Sequence, residues 1–323
     1  MFRKLSALLA QAKVRSASGW ARSRGMRFGD LPGVLVEGSS DGPTLVLLHG
    51  IGLGPWIWER DQRRWAEQHG LSSLALELPG HGSQSDQDPG LGQLAESVSR
   101  SLSSLKGPVA LIGHSMGGLV AQMVASQVDV QSLVCVASAT PKAVWMRPTR
   151  TGIRSFLPQL MGLARGRPLA LSEKAYLDCG FDQLPSDAQS KALQRLTPWP
   201  NRLTRELGLS RPDIPRDAIS APMLVVHGFK DPIVTLHQSR LLADYFGAVL
   251  WRFDDVSHHP MLEPAGVRVA DNIAEFVTRP RRRLVREIDA FSPEEGIGQQ
   301  AREARDPNPV RSDSRFGDRR KKG

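Results

Sequence analysis

Short apolar runs recur along the chain, and segments with a helical spacing of apolar side chains separate them. The runs are nearly continuous and rich in Val, Leu and Ile, which is typical of parallel strands covered on both faces. Because strand-like and helix-like segments alternate, the pattern predicts an α/β fold with a doubly wound, mostly parallel sheet. The predicted strands cover residues 33–37, 45–48, 73–76, 109–112, 133–137, 223–226 and 249–253, and the predicted helices cover residues 58–69, 91–105, 116–127, 236–246 and 267–278.

The alternation is interrupted once, by an insertion of residues 141–220. This stretch has no clear buried strand, and eight prolines between residues 148 and 215 divide it into short segments. Proline ends a helix, because its ring removes an N–H donor and clashes with the preceding turn. We therefore expect a set of short helices here or, alternatively, an enlarged loop packed to one side of the core.

The predicted organisation is a core of residues 30–140 and 221–279, the insertion, an N-terminal extension of residues 1–29 and a C-terminal tail of residues 280–323. The net charge of +9 belongs to the ends, since residues 1–29 hold seven Lys and Arg and no acid, and residues 279–323 hold thirteen against eight acids. The rest of the chain is slightly acidic, so a nucleic-acid partner is not expected. We expect disordered, solubilising ends, with weak contact between these basic tails and a membrane surface as the alternative.

The cysteines and the hydropathy of the chain bear on its compartment. Cys135 lies inside a predicted strand and Cys179 lies in the insertion, so a disulfide framework is not indicated. No apolar run is long enough to predict a membrane-spanning helix. We expect a cytoplasmic protein, with peripheral membrane association as the alternative.

The most informative motif is residues 113–117, where Ser115 lies between two glycines. It directly follows the predicted strand 109–112 and precedes a helix-forming run, which is the arrangement of a nucleophile elbow. A turn this tight lifts the serine hydroxyl out of the sheet towards a substrate. It also leaves the backbone N–H of Met116 free to bind a developing oxyanion.

The other groups that such a serine needs also follow predicted strands. A base must take the serine proton, and a carboxylate must orient that base. Asp231 follows the strand 223–226, and two adjacent histidines, His258 and His259, follow the strand 249–253. From the residues alone, either histidine could be the base. Upstream, the glycine-containing segment after the strand 45–48 can supply a second oxyanion donor, which we predict to be the N–H of Ile51.

With these residues the chain resembles the α/β-hydrolase fold superfamily, in its branch of serine esterases, lipases and C–C hydrolases. The matching motifs fall in the family's order between residues 33 and 279. The family's spacing selects His258 as the base and leaves His259 as a neighbour, although Ser257 stands where the family usually has glycine. The resemblance also implies that the insertion is a helical lid over the nucleophile. The motifs are His49-Gly50-Ile51-Gly52, Leu78-Pro79-Gly80-His81-Gly82-Ser83, Gly113-His114-Ser115-Met116-Gly117-Gly118, Gly228-Phe229-Lys230-Asp231-Pro232 and His258-His259-Pro260-Met261-Leu262-Glu263-Pro264.

The resemblance implies a serine hydrolase that cleaves a carboxylic ester, and the aliphatic side chains of the insertion suggest that its acyl or alcohol group is apolar. Ser115, His258 and Asp231 would form the catalytic triad, and the reaction would pass through an acyl-enzyme. Cleavage of a diketone C–C bond, thioester hydrolysis and a non-catalytic binding protein remain alternatives. No cofactor or metal is expected, because the eight histidines lack metal-ligand spacing. The residues expected around the substrate are His49, Gly50, Trp56 and His114, of which the two histidines are expected to brace the oxyanion loop and the elbow.

Overall fold

The computed structural model describes residues 23–145, 148–280 and 288–289, in which nine strands form one sheet of order β1-β2-β4-β3-β5-β6-β7-β8-β9. Strand β2 is antiparallel to both of its neighbours, and the strands from β4 to β9 are all parallel. The strands are β1 (Ser23–Phe28), β2 (Leu31–Val36), β3 (Thr44–Leu48), β4 (Ser73–Leu76), β5 (Val109–His114), β6 (Ser132–Val136), β7 (Met223–Gly228), β8 (Val249–Phe253) and β9 (Ile288–Asp289). The prediction of a mostly parallel sheet is confirmed.

Helices cover both faces of this sheet, so its central strands are buried on both sides. One layer contains α2, α3 and α9, and the other contains α1 and α10. In the second layer the indole N–H of Trp65 donates to the Ala270 carbonyl at 2.8 Å, which ties α1 to α10. The core helices are α1 (Glu59–His69), α2 (Leu91–Leu102), α3 (Met116–Ala125), α9 (Leu236–Phe246) and α10 (Val267–Thr278).

The insertion between β6 and β7 is helical, as predicted. Among the described residues, none of the helices is long and apolar enough to cross a membrane. The insertion also contains an isolated antiparallel bridge between Leu169 and Trp199. Its helices are α4 (Arg150–Phe156), α5 (Leu160–Ala164), α6 (Glu173–Asp178), α7 (Ser186–Leu193) and α8 (Asn201–Leu209), with single 3-10 turns at Leu157–Gln159 and Phe181–Gln183.

The sheet starts earlier in the chain than the sequence predicts. Strand β1 lies within the predicted N-terminal extension and pairs along its whole length with β2, from Ser23 opposite Val36 to Phe28 opposite Leu31. Its six residues include two arginines and no continuous apolar run. An edge strand has a neighbouring strand on one side only, so it does not need the apolar composition of a central strand. Strand β9 lies within the predicted C-terminal tail. The remaining residues of both predicted ends lie outside the described residues.

Candidate active site

Ser115 occupies a strained turn between β5 and α3. Its backbone angles are φ 52° and ψ −118°, a left-handed φ that is uncommon for a residue with a side chain. The flanking glycines are sterically required: a Cβ at Gly113 would lie 2.2 Å from the Gly117 carbonyl oxygen, and a Cβ at Gly117 would lie 2.5 Å from the His49 carbonyl oxygen. The turn has the geometry of a nucleophile elbow.

The side chains of Ser115, His258 and Asp231 lie in one hydrogen-bonded line. Nε2 of His258 is 3.3 Å from Oγ of Ser115, and Nδ1 of the same ring is 2.8 Å from Oδ2 of Asp231. The carboxylate is fully buried, and its other oxygen accepts the N–H groups of Ile233 and Val234 at 2.8 and 2.9 Å. These bonds fix the carboxylate, so the imidazole Nδ1–H has a rigid acceptor and Nε2 faces the serine hydroxyl.

Two backbone N–H groups border the serine without partners of their own. Met116 is the first residue of α3, where an N–H has no intrahelical acceptor. The segment of residues 49–52 after β3, the oxyanion loop, passes beside Ser115, since a Cβ at Gly50 would lie 3.2 Å from Cβ of Ser115. Within the described part of the chain, neither the Met116 N–H nor the Ile51 N–H donates to another group. The arrangement can therefore hold a negatively charged oxygen beside Ser115.

His49 and His114 are buried beneath this site, and burial lowers the pKa of both well below the usual range. His49 accepts the Leu78 N–H through Nε2 at 3.0 Å and donates through Nδ1 to the Gly50 carbonyl at 2.8 Å. His114 donates through Nε2 to the backbone carbonyl of His258 at 2.8 Å. Both rings are thus hydrogen-bonded to the backbone of the site, and their roles in a reaction stay predictions.

His259 lies directly behind His258 and faces the insertion. The residue is 5 % exposed, and its ring centroid stands 4.3 Å from that of Phe181 in the insertion. Burial lowers its pKa well below the usual range, so the ring stays neutral. His259 therefore links the insertion to the segment that carries His258.

The insertion also contacts this segment through Gly180. Gly180 has φ 107°, and a Cβ there would lie 2.9 Å from Oγ of Ser257 and 3.1 Å from Cβ of His258. From the other side, the buried Glu263 carboxylate accepts the Ser257 N–H at 2.9 Å. The backbone around His258 is therefore held between the insertion and the core.

The sequence profile of the alpha/beta hydrolase family matches residues 45–271. The chain belongs to this family. Its match covers more than half of the chain and includes all the residues of the site described above. Within residues 23–145, 148–280 and 288–289 of this alpha/beta hydrolase, no cluster of three or more His, Cys, Asp or Glu side chains could hold a metal ion.

Similar proteins of this family include esterases and lipases. The chain is 29% identical over 250 residues to a pimeloyl-[acyl-carrier protein] methyl ester esterase of Aromatoleum aromaticum, covering 68% of this chain and 92% of the relative. It is 33% identical over 107 residues to protein phosphatase methylesterase 1 of Bos taurus, covering 31% of this chain and 28% of the relative. Its structure is similar to that of a monoacylglycerol lipase of Paleococcus ferrophilus, with a TM-score of 0.61 and 19% identity over 77% of this chain and 98% of that one.

Trp56 is the predicted substrate-binding residue with the least support from the geometry of this alpha/beta hydrolase. It lines a surface groove of about 480 Å³ between α1 and α7, whose lining includes none of Ser115, Asp231 and His258. The guanidinium of Arg195 stands 4.9 Å above the Trp56 ring. Contact between Trp56 and a substrate stays a prediction.

Proposed function

We propose that this alpha/beta hydrolase cleaves carboxylic esters that have an apolar acyl or alcohol group, through an acyl-enzyme on Ser115. The observation that carries the proposal is the line of hydrogen bonds from Ser115 through His258 to the buried carboxylate of Asp231. It is supported by the two unpartnered N–H groups next to the strained serine. The named activities of the similar proteins, which include two methyl esterases, favour the ester class.

In the acylation step, Oγ of Ser115 attacks the ester carbonyl carbon while Nε2 of His258 takes the hydroxyl proton. The negative charge on the carbonyl oxygen is held by the N–H groups of Ile51 and Met116, each of which contributes about 3 kcal/mol in enzymes of this kind. Asp231 stabilises the imidazolium that forms. The imidazolium then gives its proton to the leaving alcohol, and the acyl group stays on Ser115.

In the deacylation step, the neutral imidazole of His258 takes a proton from water as the water oxygen attacks the acyl carbon. A second tetrahedral intermediate forms on the same two N–H groups. When it collapses, the bond to Oγ of Ser115 breaks, the proton returns from His258 to that oxygen, and the carboxylic acid leaves. The cycle consumes one water and restores the resting protonation state.

The experiment that tests this proposal combines a fluorophosphonate probe with p-nitrophenyl esters of increasing acyl chain length. The full chain should be labelled and should turn over esters, and Ser115→Ala should do neither while keeping the folded-state circular dichroism spectrum. Labelling without ester turnover would mean that the substrate is not an ester and would favour cleavage of a C–C bond or a thioester. Labelling that persists in Ser115→Ala, or no labelling of the parent chain, would refute the assignment of the nucleophile.

A further inference from the structure

The first part of the insertion concentrates positive charge. Residues 142–172 contain six Lys and Arg and no Asp or Glu. Residues 173–220, the rest of the insertion, contain seven residues of each sign. The basic character is therefore confined to the segment around α4 and α5.

The cations of this segment face solvent. Five of them lie in the described part of the chain, all five are exposed, and none of the five is in an ion pair there. The insertion's second part differs, because its cations include Lys174 and Arg202, each paired with an acid four residues away. The five are Lys142, Arg150, Arg154, Arg165 and Arg167.

Large apolar side chains are exposed on the same segment. The exposed fractions are 70% for Trp145, 49% for Ile153, 61% for Leu157 and 64% for Met161. The last three lie on α4, on the 3-10 turn that follows it and on α5. Among the described residues, only two other large apolar side chains, of Leu209 and Phe229, are so exposed. A cluster of this kind marks an interaction site more often than single exposed residues do.

The opposite side of the segment is fixed to the protein. The Thr149 hydroxyl donates to the Pro232 carbonyl at 2.7 Å, next to Asp231. The Phe156 ring lies 5.1 Å from the Trp199 ring, and the Asn201 side chain donates to the Leu163 carbonyl at 2.8 Å. The exposed residues are thus the outer surface of an anchored element that borders the candidate active site.

We propose that this outer surface, Trp145, Arg150, Ile153, Arg154, Leu157, Met161, Arg165 and Arg167, binds an anionic phospholipid membrane surface. Arginines and large apolar side chains lie together on one short segment, which is the composition of helices that lie in a membrane interface. The apolar side chains insert among the acyl chains, and the guanidinium groups stay with the anionic headgroups. Protein interfaces are also enriched in Trp, Met and Arg, so an acidic protein is the competing occupant that the test below includes.

The proposal goes beyond the ester hydrolysis proposed above, and its test does not depend on turnover. The full chain carrying Ser115→Ala is sedimented with phosphatidylcholine vesicles, with or without phosphatidylglycerol. Two matched pairs are compared: Leu157→Asp with Leu209→Asp, and Arg154→Gln with Arg205→Gln. Leu209 and Arg205 are exposed residues of the same types on α8. The basic residues 1–29 are present in every variant, so their contribution is common to all.

We expect the chain to bind the anionic vesicles and Leu157→Asp to lower its partition coefficient at least about tenfold, because an apolar anchor is lost and a repelled charge is added. Arg154→Gln should lower it about fivefold, on anionic vesicles only. The two α8 variants should bind within about twofold of the parent.

Three results would overturn the proposal. The first is that the parent chain sediments with neither type of vesicle. The second is that the paired variants lose binding equally, or not at all, which would assign any vesicle binding to other parts of the chain. The third is that polyglutamate, used as a soluble polyanion, binds the chain with the expected variant pattern while anionic vesicles do not, which would replace the lipid surface by an acidic protein.

Discussion

Replacing Gly180 by alanine is expected to lower turnover by displacing His258. At φ 107° an L-residue is strained, at a cost of about 1–2 kcal/mol. The added Cβ would also lie 3.1 Å from Cβ of His258, whose ring is held by Asp231 and whose carbonyl is held by His114. The distance from Nε2 of His258 to Oγ of Ser115 is already 3.3 Å, beyond the usual range for proton transfer. A shift of a few tenths of an ångström there should lower kcat/KM about tenfold, or about 1.4 kcal/mol.

Gly107→Ala is the control for the free-energy cost of placing an L-residue at a positive φ. Gly107 has φ 84°, and a Cβ there would meet nothing within 4 Å. Both variants should lose about 1–2 kcal/mol of unfolding free energy, but only Gly180→Ala should lose activity. The measurements are denaturant unfolding and kcat/KM on the best p-nitrophenyl ester. Equal activity in the two variants would refute the idea that the insertion positions His258.

Three further predictions concern the triad, its neighbour and a buried acid. Asp231→Asn should lower kcat about 10⁴-fold in steady-state assays, because the wrong imidazole tautomer is then held against Ser115; a loss below tenfold would contradict the role of Asp231. His258→Ala should abolish turnover. His259→Phe should cost about 1–3 kcal/mol in thermal unfolding, since a larger ring is forced into the buried contact with Phe181, and it should change kcat only a few-fold; the reverse pattern would make His259 the base. Burial raises the pKa of Asp61 to about 7. Between pH 4 and 7 the Asp61 carboxyl therefore keeps its proton in the folded chain and has lost it in the unfolded chain. The free energy of unfolding should fall by up to about 4 kcal/mol as the pH rises through this window. Asp61→Asn should remove that fall, which unfolding curves across the window would show.

The central strands could be predicted because burial on both faces imposes a continuous apolar composition. The same composition allowed the candidate site to be predicted, because Ser115, Asp231 and His258 each follow such a strand. Parallel strands bring their carboxyl ends to one edge of the sheet, so these three residues come together there. Strand β1 escaped prediction because it lies at the edge and carries arginines. An edge strand is specified by its partner's register more than by its own composition.

The contacts of the insertion could not be predicted for a different reason. Gly180 follows α6 at a position where glycine commonly ends a helix, so its residue type gives no sign of the contact with His258. Likewise, His258 and His259 are adjacent residues of the same type, so their residue types do not show which of them faces Ser115. In the structure His258 lies beside Ser115, and His259 packs against Phe181 of the insertion, a contact between residues far apart in the chain.

The contact of the turn at residues 179–181 with the His258 backbone limits how freely this insertion can be exchanged. A chimera that carries a relative's insertion on this core replaces this turn. The grafted insertion would have to bring a residue without a Cβ to the position of Gly180 and an aromatic ring to the position of Phe181. A graft without them would change the position of His258 relative to Ser115. Selecting for a new substrate in this scaffold therefore also selects on the rate of the chemical step.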